Sequence, residues 1–103
     1  MEDIKCLMHH VKEEVDDARH YIKDALAIKG TNPETASLYY QLSGEEITHM
    51  NTLHKEVVRM IEVYRREKGA VPEPMMVLYK YLHEEAMDEL EKVSALREMY
   101  KKM

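Results

Sequence analysis

The stretch YYQLSGEEITHMNTLHKEVVRMIEV, residues 39–63, decides the fold. Read on a 3-4 spacing, it sets Tyr39, Leu42, Glu46, His49, Leu53, Glu56, Met60 and Val63 on one stripe, the period of an amphipathic helix. The stripe is largely apolar except near its middle, where Glu46 and His49 form a Glu-x-x-His pair. The preceding segment gives a matching stripe of Ile4, Leu7, Val11, Glu14, Ala18, Tyr21, Ala25 and Ile28, with Glu14 near its middle. Ionised side chains on a buried seam cost several kcal/mol or more unless they are paired or bound to a metal. Two acids and a histidine on such seams therefore point to a carboxylate–histidine metal site inside a helical bundle.

Punctuation divides the chain into three helices. The first runs from about Glu2 to Lys29 and stops at Gly30, read as a left-handed cap. Thr31 or Asn32 caps the second helix, Pro33 occupies its first turn and Glu34 suits the positive end of its dipole. That helix extends to about Lys68, with Arg65, Arg66 and Lys68 complementing its C-terminal end and Gly69 stopping it. Ala70-Val71-Pro72-Glu73-Pro74 reads as a stiff connector, and the third helix spans about Met75 to Lys102. Its apolar face is Leu78, Leu82, Ala86, Leu90, Val93, Leu96 and Tyr100. Gly44 costs about 1 kcal/mol relative to Ala; it reads either as a point of close approach for another helix or as incidental. Residues 1–103 form one domain, with no solenoid repeat and no low-complexity tract.

Composition narrows the function classes. The chain has 34% charged residues, three Gly and three Pro, in keeping with a helical protein. With no Phe or Trp, nine Met and seven Tyr supply the bulk, and Met fills irregular gaps between helices. A net charge of −5 argues against nucleic acid as a partner. The single Cys6 leaves no intrachain disulfide and no cysteine-based zinc finger; it reads as a small core residue. No apolar run is long enough to span a membrane, and Met1-Glu2-Asp3-Ile4-Lys5 lacks the pattern of a signal peptide. The expected location is the cytoplasm, or a protein compartment within it.

The ligands fall at one height. Glu14 precedes Thr31 by about 17 residues, and Glu46 and His49 follow it by about 15 and 18. At about 1.5 Å per residue all three lie roughly 25 Å from the turn of an antiparallel hairpin. Carboxylate oxygen with imidazole nitrogen suits Fe, Mn or Zn better than Mg or Ca. At that height the third helix offers Val93 and Leu96, which are apolar. One chain thus supplies one Glu and one Glu-x-x-His, while carboxylate-bridged di-metal bundles use that set twice. The simplest completion of this half-site is a second copy related by a two-fold axis.

At these residues, Glu14-x6-Tyr21 on the first helix and Glu46-Ile47-Thr48-His49 on the second, the chain resembles the ferritin-like superfamily. It is most similar to the short encapsulated ferritins, whose local run is like Gly44-Glu45-Glu46-Ile47-Thr48-His49. The resemblance covers about residues 3–68. It implies an all-α fold: an antiparallel two-helix hairpin plus a third helix, with a ferritin-like four-helix bundle completed by dimerisation. By the same resemblance Glu46 would bridge two irons, Glu14 and His49 would be terminal ligands, and Tyr21 would stand beside them. The implied activity is that of a ferroxidase oxidising Fe(II) at a di-iron site shared between two subunits. Such relatives usually carry a Leu/Gly-rich docking tail for an encapsulin shell, where this sequence has Glu98-Met99-Tyr100-Lys101-Lys102-Met103. The resemblance implies an encapsulin shell as partner, and the departure at this tail counts against it.

Competing readings stay open. Glu14, Glu46 and His49 could form a polar layer that sets register or oligomer state, making the chain a metal-free interaction module. A di-iron or di-manganese peroxidase or oxidase is a third reading. His9, His10, His20, His54 and His83 read as partly exposed helix residues. Glu13, Asp16 and Asp17 read as a solvated acidic face or a gathering point for cations. Glu56, level with Cys6, His9 or His10, and Glu85 or Glu89, is a candidate for a second, weaker metal site. The acids Glu84, Glu85, Asp88 and Glu89 read as a solvated face. Tyr21 could serve only in packing.

Overall fold

The computed structural model describes residues 2–103, all helix apart from two short connections. Helix α1 spans Glu2–Ile28, α2 spans Pro33–Lys68 and α3 spans Glu73–Lys102. They form an up-down-up bundle 55 Å long and 18 Å across. Helices α1 and α2 pair closely along their length, while α3 lies against α1 and brings its backbone near α2 at scarcely any point.

The helix ends follow local chemistry. The carbonyl of Ile28 accepts hydrogen bonds from the N–H groups of Thr31 at 3.1 Å and Asn32 at 2.7 Å. These turns satisfy the end of α1, so no left-handed residue is needed. The expected left-handed cap at Gly30 does not form: the one positive φ among the described residues belongs to Gly69, at 89°. Asn32 caps α2, its side chain accepting from the Thr35 N–H at 3.2 Å, with Pro33 in the first turn. Helix α3 begins two residues before the expected Met75. Pro72 precedes it and Pro74 falls in its first turn, where a missing N–H costs nothing. The far end of α3 is held by Lys29, whose ammonium donates to the carbonyls of Tyr100 at 2.6 Å and Met103 at 3.2 Å.

Three apolar layers fill the bundle. Ile4, Met8, Val57, Ile61 and Val71 form the first, with Met75, Tyr79 and Leu82 packed on it. Val11, Val15, Met50 and Ala86 form the second, joined by Leu53 and Leu90. Ala18, Ile22, Ala25 and Val93 form the third, with Tyr39, Tyr40, Ile47 and Tyr100 around them. Small residues let α1 and α2 approach here. Ser43, fully buried, donates from its hydroxyl to the Ala18 carbonyl at 2.9 Å.

The core stripe differs from the expected one in rotation. On α2 the buried residues are Ala36, Ser43, Met50, Val57 and Ile61, a stripe turned away from Leu42, Glu46, His49 and Leu53. On α1, Met8, Val15 and Ile22 are buried in place of Leu7, Glu14 and Tyr21. The cause is α3: it covers one flank of the hairpin and draws the core toward itself. The α1 seam keeps Ile4, Val11, Ala18 and Ala25 in the core, while its Leu7, Glu14 and Tyr21 and the whole α2 seam lie along the opposite, more exposed flank. Cys6, expected in the core, is exposed, because its position faces away from the stripe running through Ile4 and Met8.

Candidate metal centre

The hairpin brings Glu14 from α1 together with Glu46 and His49 from α2. Positions 46 and 49 are one turn apart on one face of α2, so both side chains reach the same point. His49 Nδ1 lies 3.6 Å from Glu14 Oε2 and 3.7 Å from Glu46 Oε1. One ligand atom from each residue falls within 4.8 Å of the other two. A shell of donors at about 2.1 Å from one ion, with angles of about 90–120°, spaces its members by about 3.0–3.6 Å. The three groups therefore stand close to the edges of a coordination polyhedron, slightly wider than an ideal one.

Burial and charge make the cluster demand a cation or a proton. Glu14 Oε2 is buried and has no hydrogen-bond partner. Two ionised carboxylates side by side offer acceptors and no donor, so the orphaned oxygen is a direct consequence of the pairing. Glu46 responds by holding its proton, and its pKa is pushed up to about 7. The largest cause is the hydrogen bond that its protonated carboxyl shares with Glu14. Burial comes next, then repulsion from Glu14 and, more weakly, Asp17, while His49 pulls the other way. The carboxylate side chains are one-quarter exposed or less, whereas that of His49 is 59% exposed. The cluster thus sits at the surface of the single chain, on the flank that α3 leaves uncovered, and not inside the bundle as the seams suggested.

Tyr21 lies two turns beyond Glu14 on the same flank. Its ring stacks on Tyr39 with centroids 6.2 Å apart, and among the described residues no hydrogen bond joins it to the three acid and imidazole groups. The second site suggested for Glu56 does not assemble. Glu56 is taken by Arg59 one turn on, which donates from both Nε and Nη2, and this pairing holds the Glu56 carboxyl below its ordinary range. Asp16 pairs with Arg19 at 3.6 Å and Glu13 faces His10 at 3.6 Å. The acids of α3 are not all solvated: Glu89 accepts from Arg19 at 3.1 Å, and Glu85 lies 3.9 Å from Lys12. Both tie α3 to α1.

Two features were legible in the sequence only in part. Gly44 is a point of close approach, but for a side chain. A Cβ there would meet Arg97 Nη2 of α3 at 3.0 Å. Arg97 lies over the Tyr40 ring at 4.0 Å and donates to the Tyr40 carbonyl at 2.8 Å. His54 and His83 are partly exposed, as read from the sequence, but they also meet each other. Their rings stack across α2 and α3 with centroids 4.9 Å apart. The 3-4 spacing of His83 along the α3 apolar face, one position from Leu82, was the available signal.

No helix of the described residues is long and apolar enough to cross a membrane. Protein-family models, curated proteins and solved structures yield no match to this chain.

Proposed function

We propose that this chain is one half of a ferritin-like di-iron centre and works as a ferroxidase. The observation that carries this reading is the convergence of Glu14, Glu46 and His49, with a buried carboxylate oxygen of Glu14 left unpartnered. Two carboxylates and one imidazole satisfy one divalent ion only in part. The half-exposed apolar flank on both sides of the cluster, with Leu7, Leu42, Leu53, Met60 and Val63, is where a second copy would seat. Two copies about a two-fold axis would bring four carboxylates and two imidazoles to two ions, the full set of a carboxylate-bridged site.

Four carboxylates neutralise two Fe(II) ions, which are the substrate here. Hard oxygen donors favour the ferric state, and a donor set this small leaves coordination positions open. Two Fe(II) each give one electron to dioxygen, which takes up two protons and leaves as hydrogen peroxide. Glu46, whose proton is held near pH 7, releases it when the metal arrives and so couples loading to pH. The iron is then passed on or stored, in the cytoplasm or within a protein shell.

A metal-free role as a polar layer has one observation in its favour: His49, when protonated, is near enough to both carboxylates to pair with them. Anaerobic titration with Fe(II), followed by air and near-ultraviolet absorbance, separates the two. A ferroxidase binds one iron per chain and oxidises it faster than buffer does. A polar layer does neither.

A further inference from the structure

The His54–His83 pair lies outside the Glu14 cluster and stands independently of its function. His54 projects from the middle of α2, and His83 from α3. Their rings stack with an interplanar angle of 27°, and Tyr79 also stacks on His83, with centroids 5.7 Å apart. His54 Nε2 and His83 Nδ1 are both buried without a hydrogen-bond partner. Two unpaired imidazole nitrogens in one seam are unusual, because buried polar atoms are nearly always satisfied.

Among the described residues, no carboxylate is ion-paired with either ring. Tyr79 stacks on His83 within α3; on α1 near this level the inward residues Met8 and Val11 are apolar, and the titratable His9 and His10 are exposed. The flanking charges Lys55, Lys80 and Glu84 are exposed or half-exposed, and Lys12 is turned to Glu85. Burial and the neighbouring ring hold His54 below the ordinary imidazole range. Nearly parallel rings send their in-plane lone pairs past one another and not onto a common ion, so the ligand this pair is built to take is a proton.

The position matters because α3 meets α2 so sparingly. Its ties to α1 include Arg19–Glu89 and Lys12–Glu85. Toward α2 its backbone stays distant and its side chains make the contact: Arg97 and Tyr100 on Tyr40 at one end, Met75, Met76 and Tyr79 in the layer of Val57 and Ile61 near the other, and the two histidines with the Met50–Ala86 layer between. We propose that the stacked His54–His83 pair is a proton-operated latch between α2 and α3, closed while His54 is neutral and opened when acid protonates it, with α3 staying docked on α1. Opening would uncover Val57 of the first apolar layer and Met50 of the second.

Amide hydrogen exchange of the metal-free full chain at pH 7.5 and pH 5.0, expressed as protection factors, tests this. Protection over residues 79–90 and 50–58 should fall about tenfold or more on acidification, because protons that bind the open form more tightly pull the local opening equilibrium toward it. The middle of α1 should change less. His54→Phe keeps a stacking ring and removes the imidazole, and should abolish the fall. In Glu46→Gln, which removes the carboxylate cluster's own titration, the fall should remain. A flat profile in the parent, or an undiminished fall in His54→Phe, would overturn the latch.

Discussion

Glu14 Oε2 of α1 and His49 Nδ1 of α2 face each other at 3.6 Å, about 25 Å from the turn that joins their helices. They are 35 residues apart in sequence (49 − 14) and are brought level by equal helical rise on either side of the 29–32 connection. From that relationship follow expectations for metal, stability and pH.

His49→Ala and Glu46→Ala should each weaken divalent-metal binding by about tenfold or more while leaving the helices formed. Isothermal titration with Zn(II) or anaerobic Fe(II) measures the first, and far-ultraviolet circular dichroism the second. Retained affinity in both variants would remove these residues from the ligand set.

Glu46→Gln supplies the donor that the crowded carboxylates lack. Metal-free protein carrying it should be more stable than the parent at pH 8 by about 1 kcal/mol, or about 4–8 °C in Tm. The same change should weaken metal binding. A variant less stable than its parent would show that the two carboxylates do not repel.

The same carboxyl sets a pH dependence. The folded pKa of Glu46 is raised from 4.5 to about 7, so the folded chain binds more protons than the unfolded one between those values. Its contribution to stability is fully present below about pH 4.5 and is lost as pH rises through 7. His54 runs the other way, since its lowered pKa costs stability as pH falls below 6.5. The parent minus Glu46→Gln difference isolates the first effect. It should shift toward the parent as pH drops from 8 to 5, while metal affinity of the parent falls over the same range.

Much of this arrangement was legible in the sequence. Asn32, Pro33 and the short connection fix the hairpin, and the hairpin with a constant rise fixes which residues meet in height. What the sequence left open was rotation. On α2 both the stripe through Leu42, Leu53 and Met60 and the one through Met50, Val57 and Ile61 are apolar enough to face a core. Only the docking of α3, a tertiary fact, chooses the second. That choice puts Glu14, Glu46 and His49 at the edge of the single chain. Cys6 followed the same rotation outward, and Glu56 went to Arg59 because a partner one turn away costs less order than a shared ion.

Gly44 and Arg97 should be energetically coupled. Arg97→Ala forfeits the charged hydrogen bond to the Tyr40 carbonyl and the guanidinium–ring contact, and should cost about 1–2 kcal/mol. Gly44→Ala alone gains about 1 kcal/mol of helix propensity but displaces Arg97, and the two effects should nearly cancel. In the Arg97→Ala background the propensity gain should appear in full. Urea unfolding of the four proteins in a double-mutant cycle measures the coupling. Additive values would separate the two residues.

The central claim is a shared iron-oxidising centre, and stopped-flow oxidation of anaerobically loaded Fe(II) tests it most directly. Absorbance rising in the near ultraviolet, with a fast phase saturating at about two irons per dimer and lost in His49→Ala, is the result expected. Fe(II) that oxidises no faster than in buffer, or a fast phase unchanged in His49→Ala, would contradict it.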